Sequence, residues 1–76
     1  MTVPVPADLV ARALECDPAS LTPDSALNGH PQWDSFGHLR VMMAIESHYG
    51  IAISEESILR FQSMAAIVEH YEKVFG

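Results

Sequence analysis

Apolar residues recur at intervals of three and four through the middle of the chain, most clearly between residues 35 and 49. This spacing places them along one side of an α-helix. Asp34-Ser35 follows the turn-rich run Asn28-Gly29-His30-Pro31 and is a helix-start signal, and Gly50 is a typical C′ residue. We therefore predict that the longest helix runs from Ser35 to Tyr49. Its expected stripe comprises Phe36, Leu39, Met42, Met43, Ile45, Glu46 and Tyr49.

Three further segments have helical periodicity. Residues 7–15 predict a first helix whose apolar face holds Leu9, Val10, Ala13 and Leu14. Ser54 is a candidate N-cap for a short helix ending near Arg60, and Ser63 for a last helix that follows it. The residues expected to face inward from these two helices are Ile58, Leu59, Phe61, Met64, Ile67, Val68, Tyr71, Val74 and Phe75.

The connections are irregular. A long loop spans residues 17–34, in which Pro18-Ala19-Ser20-Leu21 suits one short turn, and Leu21, Leu27 and Trp33 are expected to pin it to the core. Ile51-Ala52-Ile53 is too short for a sheet and predicts an extended connector. The expected fold is an all-α four-helix bundle, with three main helices, one short helix and a long first loop. We predict a single domain over residues 1–76, with residues 1–6 frayed.

Composition excludes several classes of protein. A formal charge of −6 argues against nucleic-acid binding, which depends on Lys and Arg. One cysteine allows no internal disulfide, and the four scattered histidines lack the local spacing of a zinc site, so we predict no metal. No apolar run approaches the roughly 20 residues that span a bilayer. No signal peptide is visible either, which favours a cytoplasmic protein, and we expect it to be a monomer.

Ser35 is the main candidate for chemistry, because a hydroxyl in the first turn of a helix lies where a phosphate is favoured. His38, three residues later, raises the possibility of a hydrolase. However, Asp34 and His38 flank the serine on one helix start, and a 76-residue bundle has little volume for a substrate cleft. We predict a protein without catalytic activity, in which His38 is a solvated helix residue. Trp33 has two open interpretations: it packs the loop over the helix start, or it contacts a partner. Met42, Met43 and Met64 suit adaptable core packing.

The sequence resembles the acyl carrier proteins along nearly its whole length. The resemblance is carried by Asp34-Ser35-Phe36, by Leu39 and Met42-Met43-Ala44-Ile45-Glu46, and by Tyr49-Gly50-Ile51, which match the Asp-Ser-Leu motif and second helix of that family. It implies that Ser35 carries 4′-phosphopantetheine, whose thiol holds acyl groups as thioesters, and that a phosphopantetheinyl transferase recognises Asp34. Acyl-loading and acyl-transferring enzymes, such as a ketosynthase or an acyltransferase, would be the other partners.

The second helix departs from that of the common fatty-acid carriers, which is strongly acidic. Residues 35–49 hold one acid and one base, Glu46 and Arg40, and Phe36 replaces the usual leucine. A discrete carrier of a specialised pathway, polyketide or mixed peptide–polyketide, is therefore expected. An aminoacyl or peptidyl carrier is an alternative, although Gln32-Trp33-Asp34 lacks the usual Gly-Gly pair, and a helical interaction module without a prosthetic group is another. The predicted docking residues are Trp33, Phe36, His38, Leu39, Arg40, Met43 and Glu46.

Overall fold

The computed structural model describes residues 3–76. Its helices are α1 (Pro6–Leu14), α2 (Ser35–Tyr49), α3 (Glu55–Arg60) and α4 (Met64–Val74), and a 3-10 turn forms at Pro18–Ser20. Within these residues the only β-type pairing is an isolated bridge between Ala26 and Ser63. The predicted all-α bundle with one short helix and a long first loop is confirmed. No helix in residues 3–76 has the length and apolar character needed to cross a bilayer.

Local capping chemistry sets the helix ends. Asp34, Ser54 and Ser63 each accept a backbone N–H of the following helix through their side chains. Gly50 ends α2 with φ of 73°, a conformation that favours glycine. The predicted bounds of α2 are confirmed, and α1 lies one residue earlier than predicted because Pro6 takes its first position, where a missing N–H costs nothing.

The N-terminal segment, residues 1–6, was expected to fray. Residues 1–2 lie outside the described residues. Val3 packs against the core, and the Tyr49 hydroxyl donates a 2.8 Å hydrogen bond to the Pro4 carbonyl oxygen. Pro6 is buried. A tyrosine 45 positions away along the chain thus contacts this segment, and fraying of the N-terminus stays a prediction.

The long loop is tied to the junction between α3 and α4. The Leu27 N–H donates to the Gln62 carbonyl at 2.8 Å, and the Met64 N–H donates to the Ser25 carbonyl at 2.9 Å. Leu21 and Leu27 pack against the core, and Trp33 is completely buried. The predicted anchors of the loop are confirmed, and the loop therefore reaches the start of α2 as a fixed segment.

Aromatic residues close the end of the bundle away from Ser35. Tyr49 lies between the rings of His70, Tyr71 and Phe75, with centroids 5.3–6.4 Å away. Burial, followed by the nearby Tyr71, raises the pKa of Tyr49 to about 12. Burial, followed by the positive charges on α3 and α4, lowers the pKa of His70 below its ordinary value of 6.5.

Several apolar residues expected to face inward are exposed. On α2 the exposed fractions are 77 % for Phe36, 51 % for Leu39 and 55 % for Met43. Leu59 of α3 and Val74 of α4 are also exposed. The buried face of α2 consists of Gly37, His38, Val41, Met42, Ile45 and Tyr49. The predicted stripe was partly wrong, because α2 has apolar side chains on two faces and spacing alone did not separate them.

Candidate functional site

Ser35 occupies the first position of α2, and Asp34 immediately before it caps the helix. Asp34 Oδ1 accepts the Gly37 N–H at 2.8 Å, and the Asp34 carbonyl accepts the His38 N–H at 2.8 Å. The N–H groups of Ser35 and Phe36 lie too early in the helix to have intrahelical acceptors. They add to the positive end of the helix dipole, so the site favours a negatively charged group bonded to Ser35.

The Ser35 hydroxyl differs from those of the serines at the other helix starts. Ser54 and Ser63 are N-caps, and their hydroxyl oxygens accept backbone N–H groups at 3.1 and 3.2 Å. Because Asp34 caps α2, Ser35 has no capping role. Ser35 is exposed, and among residues 3–76 its hydroxyl makes no hydrogen bond. Of these three serines, Ser35 is therefore the one whose oxygen is free for covalent attachment.

Gly37 allows the loop to approach α2 closely just after Ser35. A Cβ atom at this position would overlap the Gln32 carbonyl oxygen and lie 2.8 Å from Leu14 Cδ2. A glycine therefore lets the loop and α1 pack on the first turn of α2. We did not single out Gly37 in the sequence, although an isolated glycine in a helical pattern is a signal of such contact.

His38 and Trp33 face the interior. His38 is 4 % exposed, and its ring lies 6.2 Å from that of Trp33, which is 0 % exposed. Trp33 Nε1–H donates to His38 Nδ1 at 3.0 Å, and His38 Nε2 lies 2.8 Å from the Ile58 carbonyl oxygen. The prediction that His38 is solvated was wrong, and packing is the correct interpretation of Trp33. Neither buried side chain can contact a partner directly in this conformation, so the prediction of both as docking residues was wrong.

The burial of His38 also bears on catalysis at Ser35. A serine nucleophile needs a base within hydrogen-bond reach. The nearest imidazole in the sequence is occupied by Trp33 and Ile58 on the inner face of α2, whereas Ser35 is on the surface. Ser35 and His38 therefore do not form a catalytic pair.

The remaining predicted docking residues lie together on the outer face of α2. Phe36, Leu39, Arg40, Met43 and Glu46 are all exposed. Arg40 is paired with Glu15 at the end of α1 at 3.0 Å, so much of its charge is balanced locally. The face beside Ser35 is thus mainly apolar. Within residues 3–76, no group of three or more His, Cys, Asp and Glu side chains is arranged to hold a metal ion.

The comparisons with known proteins agree with this geometry. The sequence model of the family described as "Phosphopantetheine attachment site" matches residues 7–71, which is most of the chain. Two acyl carrier proteins, from Rickettsia typhi and Rickettsia prowazekii, are each 29 % identical over 66 residues. Each alignment covers 87 % of this chain and 77 % of the relative.

Proposed function

The chain belongs to the acyl carrier protein family, and on this premise we propose that Ser35 is the residue that carries its 4′-phosphopantetheine. Proteins of this family are carriers and not enzymes. The observation that best supports the proposal is the free, exposed Ser35 hydroxyl at a helix start that a neighbouring residue already caps. When bound, the group supplies a terminal thiol that holds acyl groups as thioesters.

The residues around Ser35 suit this group. Attachment from coenzyme A replaces the hydroxyl proton of Ser35 by a phosphodiester, with loss of adenosine 3′,5′-bisphosphate. The N–H groups of Ser35 and Phe36, which have no intrahelical acceptors, would favour the negative charge of the phosphodiester. Because His38 is turned inward, we expect the transferase to supply the base. Asp34 keeps its predicted role in transferase recognition as part of the proposal, in addition to its role as the helix cap.

We propose that partner enzymes dock on the outer face of α2 through Phe36, Leu39, Arg40, Met43 and Glu46. Three of these five side chains are large and apolar, and Arg40 is paired with Glu15. Such a surface fits an apolar docking site on the partner better than a strongly basic one. This supports a dedicated set of partners in a polyketide or mixed peptide–polyketide pathway, including acyl-loading enzymes, ketosynthases or acyltransferases. We further propose that this carrier acts in the cytoplasm.

The first experiment tests attachment and acyl transfer in sequence. Wild-type protein, Ser35→Ala and Ser47→Ala are incubated with coenzyme A, magnesium and a broad-specificity phosphopantetheinyl transferase. Ser47 is an exposed serine on the same helix and serves as the matched control. We expect wild type and Ser47→Ala to gain one phosphopantetheinyl group by intact mass, and Ser35→Ala to gain none.

The loaded protein is then offered acyl groups by candidate partner enzymes. We expect an acyl group that neutral hydroxylamine removes, as it does from a thioester. If folded wild type is not loaded by a transferase that is active on another carrier, the alternative of an interaction module without a prosthetic group becomes the better account. Preferential loading with amino acids would favour an aminoacyl or peptidyl carrier.

Docking is tested by the Michaelis constant of the transferase for Phe36→Ala and Met43→Ala. Val74→Ala is the matched control, since Val74 is also exposed and apolar but lies on α4. We expect the two α2 variants to raise KM, and we expect KM of wild type to change little between low and moderate salt, because apolar contacts are not screened. A steep salt dependence with no effect of the two α2 variants would contradict an apolar docking face.

A further inference from the structure

His38 is a buried polar residue that the attachment of a prosthetic group does not use. It is 4 % exposed, and both of its ring nitrogens have protein partners on different elements. Trp33 belongs to the end of the long loop, and Ile58 belongs to α3, twenty residues further along the chain. The ring therefore connects three segments within one turn of Ser35.

The hydrogen-bond partners decide the tautomer of the ring. The Trp33 indole can only donate, so His38 Nδ1 must accept and carries no proton. Nε2 then carries the proton of the neutral imidazole and donates it to the Ile58 carbonyl oxygen. We call these two hydrogen bonds, from Trp33 to His38 and from His38 to Ile58, the His38 bridge. No other common side chain has one acceptor and one donor in these two positions.

The Ile58 carbonyl is one of the last carbonyl groups of α3. A helical carbonyl normally accepts the N–H of the residue four positions later. For Ile58 that residue lies beyond Arg60, where α3 ends, so its carbonyl has no donor within the helix. His38 therefore supplies from α2 the donor that α3 lacks. With only six residues, α3 is too short to be stable alone, so its position depends on contacts of this kind.

Each end of this bridge lies close in sequence to an exposed apolar residue. Phe36 precedes His38 by two positions and is 77 % exposed, and Leu59 follows Ile58 directly and is 62 % exposed. One of these exposed apolar side chains lies on α2 and the other on α3. The bond between His38 and Ile58 fixes the backbones that carry them relative to each other.

We propose that His38 is a positioning residue, which through Trp33 and Ile58 holds α3 against the start of α2 so that Phe36 and Leu59 form one surface for partner enzymes beside Ser35. This inference rests on the proposed function, because it assigns a role to the surroundings of the same serine. It also explains why this buried position has a histidine, since an apolar side chain could fill the core but could not make the two hydrogen bonds.

Three substitutions separate the two hydrogen bonds. His38→Gln places an amide nitrogen near the position of Nε2 and can keep the donor to Ile58. His38→Asn places an amide oxygen near the position of Nδ1, so it can keep the bond from Trp33 and loses the bond to Ile58. His38→Phe keeps an aromatic ring and loses both bonds. The matched control is Ile67→Val or Ile67→Ala on α4, whichever loses as much thermal stability as His38→Phe, because Ile67 is fully buried and outside the bridge.

The first readout is amide hydrogen exchange of α3 relative to α1, measured on the proteins before loading. We expect exchange in α3 to accelerate about threefold to tenfold in His38→Phe and His38→Asn, as for the loss of one hydrogen bond, and to stay near wild type in His38→Gln. The Ile67 control should not accelerate α3 selectively. The second readout is loading by the transferase, for which we expect a higher KM with little change in kcat, again restored by His38→Gln.

The possible results are distinguishable. Failure of wild type to load would contradict the proposed function. The hydrogen-exchange rates of α3, which are measured before loading, would then decide whether His38 holds α3 in place. If wild type loads and α3 exchange or KM in His38→Phe equals that of the Ile67 control, His38 is only a core residue and the proposal is overturned. Rescue by His38→Asn and not by His38→Gln would also overturn it, because the bond to Ile58 would then be dispensable. Should His38→Phe fail to fold, the comparison of the Gln and Asn variants gives the same decision.

Discussion

Replacing Gly37 by alanine should destabilise this protein, although the same change in most helix interiors is favourable. Alanine is better than glycine in a helix by about 1 kcal/mol. At Gly37, however, the added methyl group would overlap the Gln32 carbonyl oxygen and lie 2.8 Å from Leu14 Cδ2. Overpacking of this kind costs roughly 1–3 kcal/mol, and a backbone carbonyl yields less easily than the end of a flexible side chain. Because the overlap is with a backbone carbonyl, we take the upper part of this range, about 2–3 kcal/mol. Subtracting the helix-propensity gain of about 1 kcal/mol leaves an expected net loss of about 1–2 kcal/mol.

The assay is thermal unfolding followed by circular dichroism, with Gly29→Ala as the matched control. For a chain of this size the expected loss lowers Tm by about 5–15 °C. A Cβ at Gly29 would have its nearest neighbour, the Ala26 carbonyl oxygen, at 3.4 Å, an ordinary contact, so the control should stay within about 0.5 kcal/mol of wild type. The Trp33 indole N–H resonance should also shift in Gly37→Ala, because the displaced Gln32 is its neighbour. A Gly37→Ala protein as stable as wild type, or more so, would refute the close approach of the loop to α2.

Three further predictions concern the cap and two titrating side chains. Asp34→Ala should lose about 1 kcal/mol of stability with its cap to the Gly37 N–H, whereas Asp34→Asn should keep the cap. Slower loading of a fully stable Asp34→Asn would then assign the carboxylate charge to transferase recognition, and equal loading would remove that role. Tyr71→Phe leaves Tyr49 as the one tyrosine of the chain, so its pKa can be measured by ultraviolet titration. The pKa should stay well above 10, because burial is the larger cause of its shift. An ordinary pKa would contradict the burial of Tyr49. Because the pKa of His70 is lower in the folded protein, the unfolded chain binds a proton at a higher pH than the folded protein does. The free energy of unfolding should therefore fall as pH drops through 6.5. In melting curves recorded at several pH values, His70→Gln should show a smaller dependence of stability on pH. An unchanged slope would show that His70 does not contribute to it.

Features set by neighbouring residues could be predicted from the sequence. The caps at Asp34, Ser54 and Ser63 depend on a side chain and an N–H group three positions later, and Gly50 ends α2 through its own backbone conformation. These signals gave the helix bounds to within a residue or so. Packing of Trp33 against the core was one of two interpretations that the sequence left open, and Trp33 was also among the predicted docking residues. A tryptophan at the end of a long loop in a small protein has a strong tendency to pack inward, and Trp33 is completely buried.

Features that depend on distant partners could not be predicted. Leu39 lies at helical spacing from both Met42 and Met43, but Met42 is buried and Met43 is exposed. Only the positions of neighbouring helices such as α1 and α3 decide which face of α2 is covered. Histidine is a polar residue that is often exposed, so its sequence position did not indicate burial. The buried His38 ring depends on a hydrogen bond to the carbonyl oxygen of Ile58, twenty positions away. For the site itself, the serine and its cap were readable from local sequence, whereas the packing that orients them was not.

The most direct test of the central claim is to locate the prosthetic group in the protein chain. Wild-type protein loaded by a phosphopantetheinyl transferase would be digested, and the peptide containing Ser35 would be fragmented in a mass spectrometer. We predict that the phosphopantetheinyl mass lies on Ser35 and that no other serine of the chain carries it. A group found on another residue, or none on a folded protein exposed to an active transferase, would contradict the assignment of Ser35 as the attachment site.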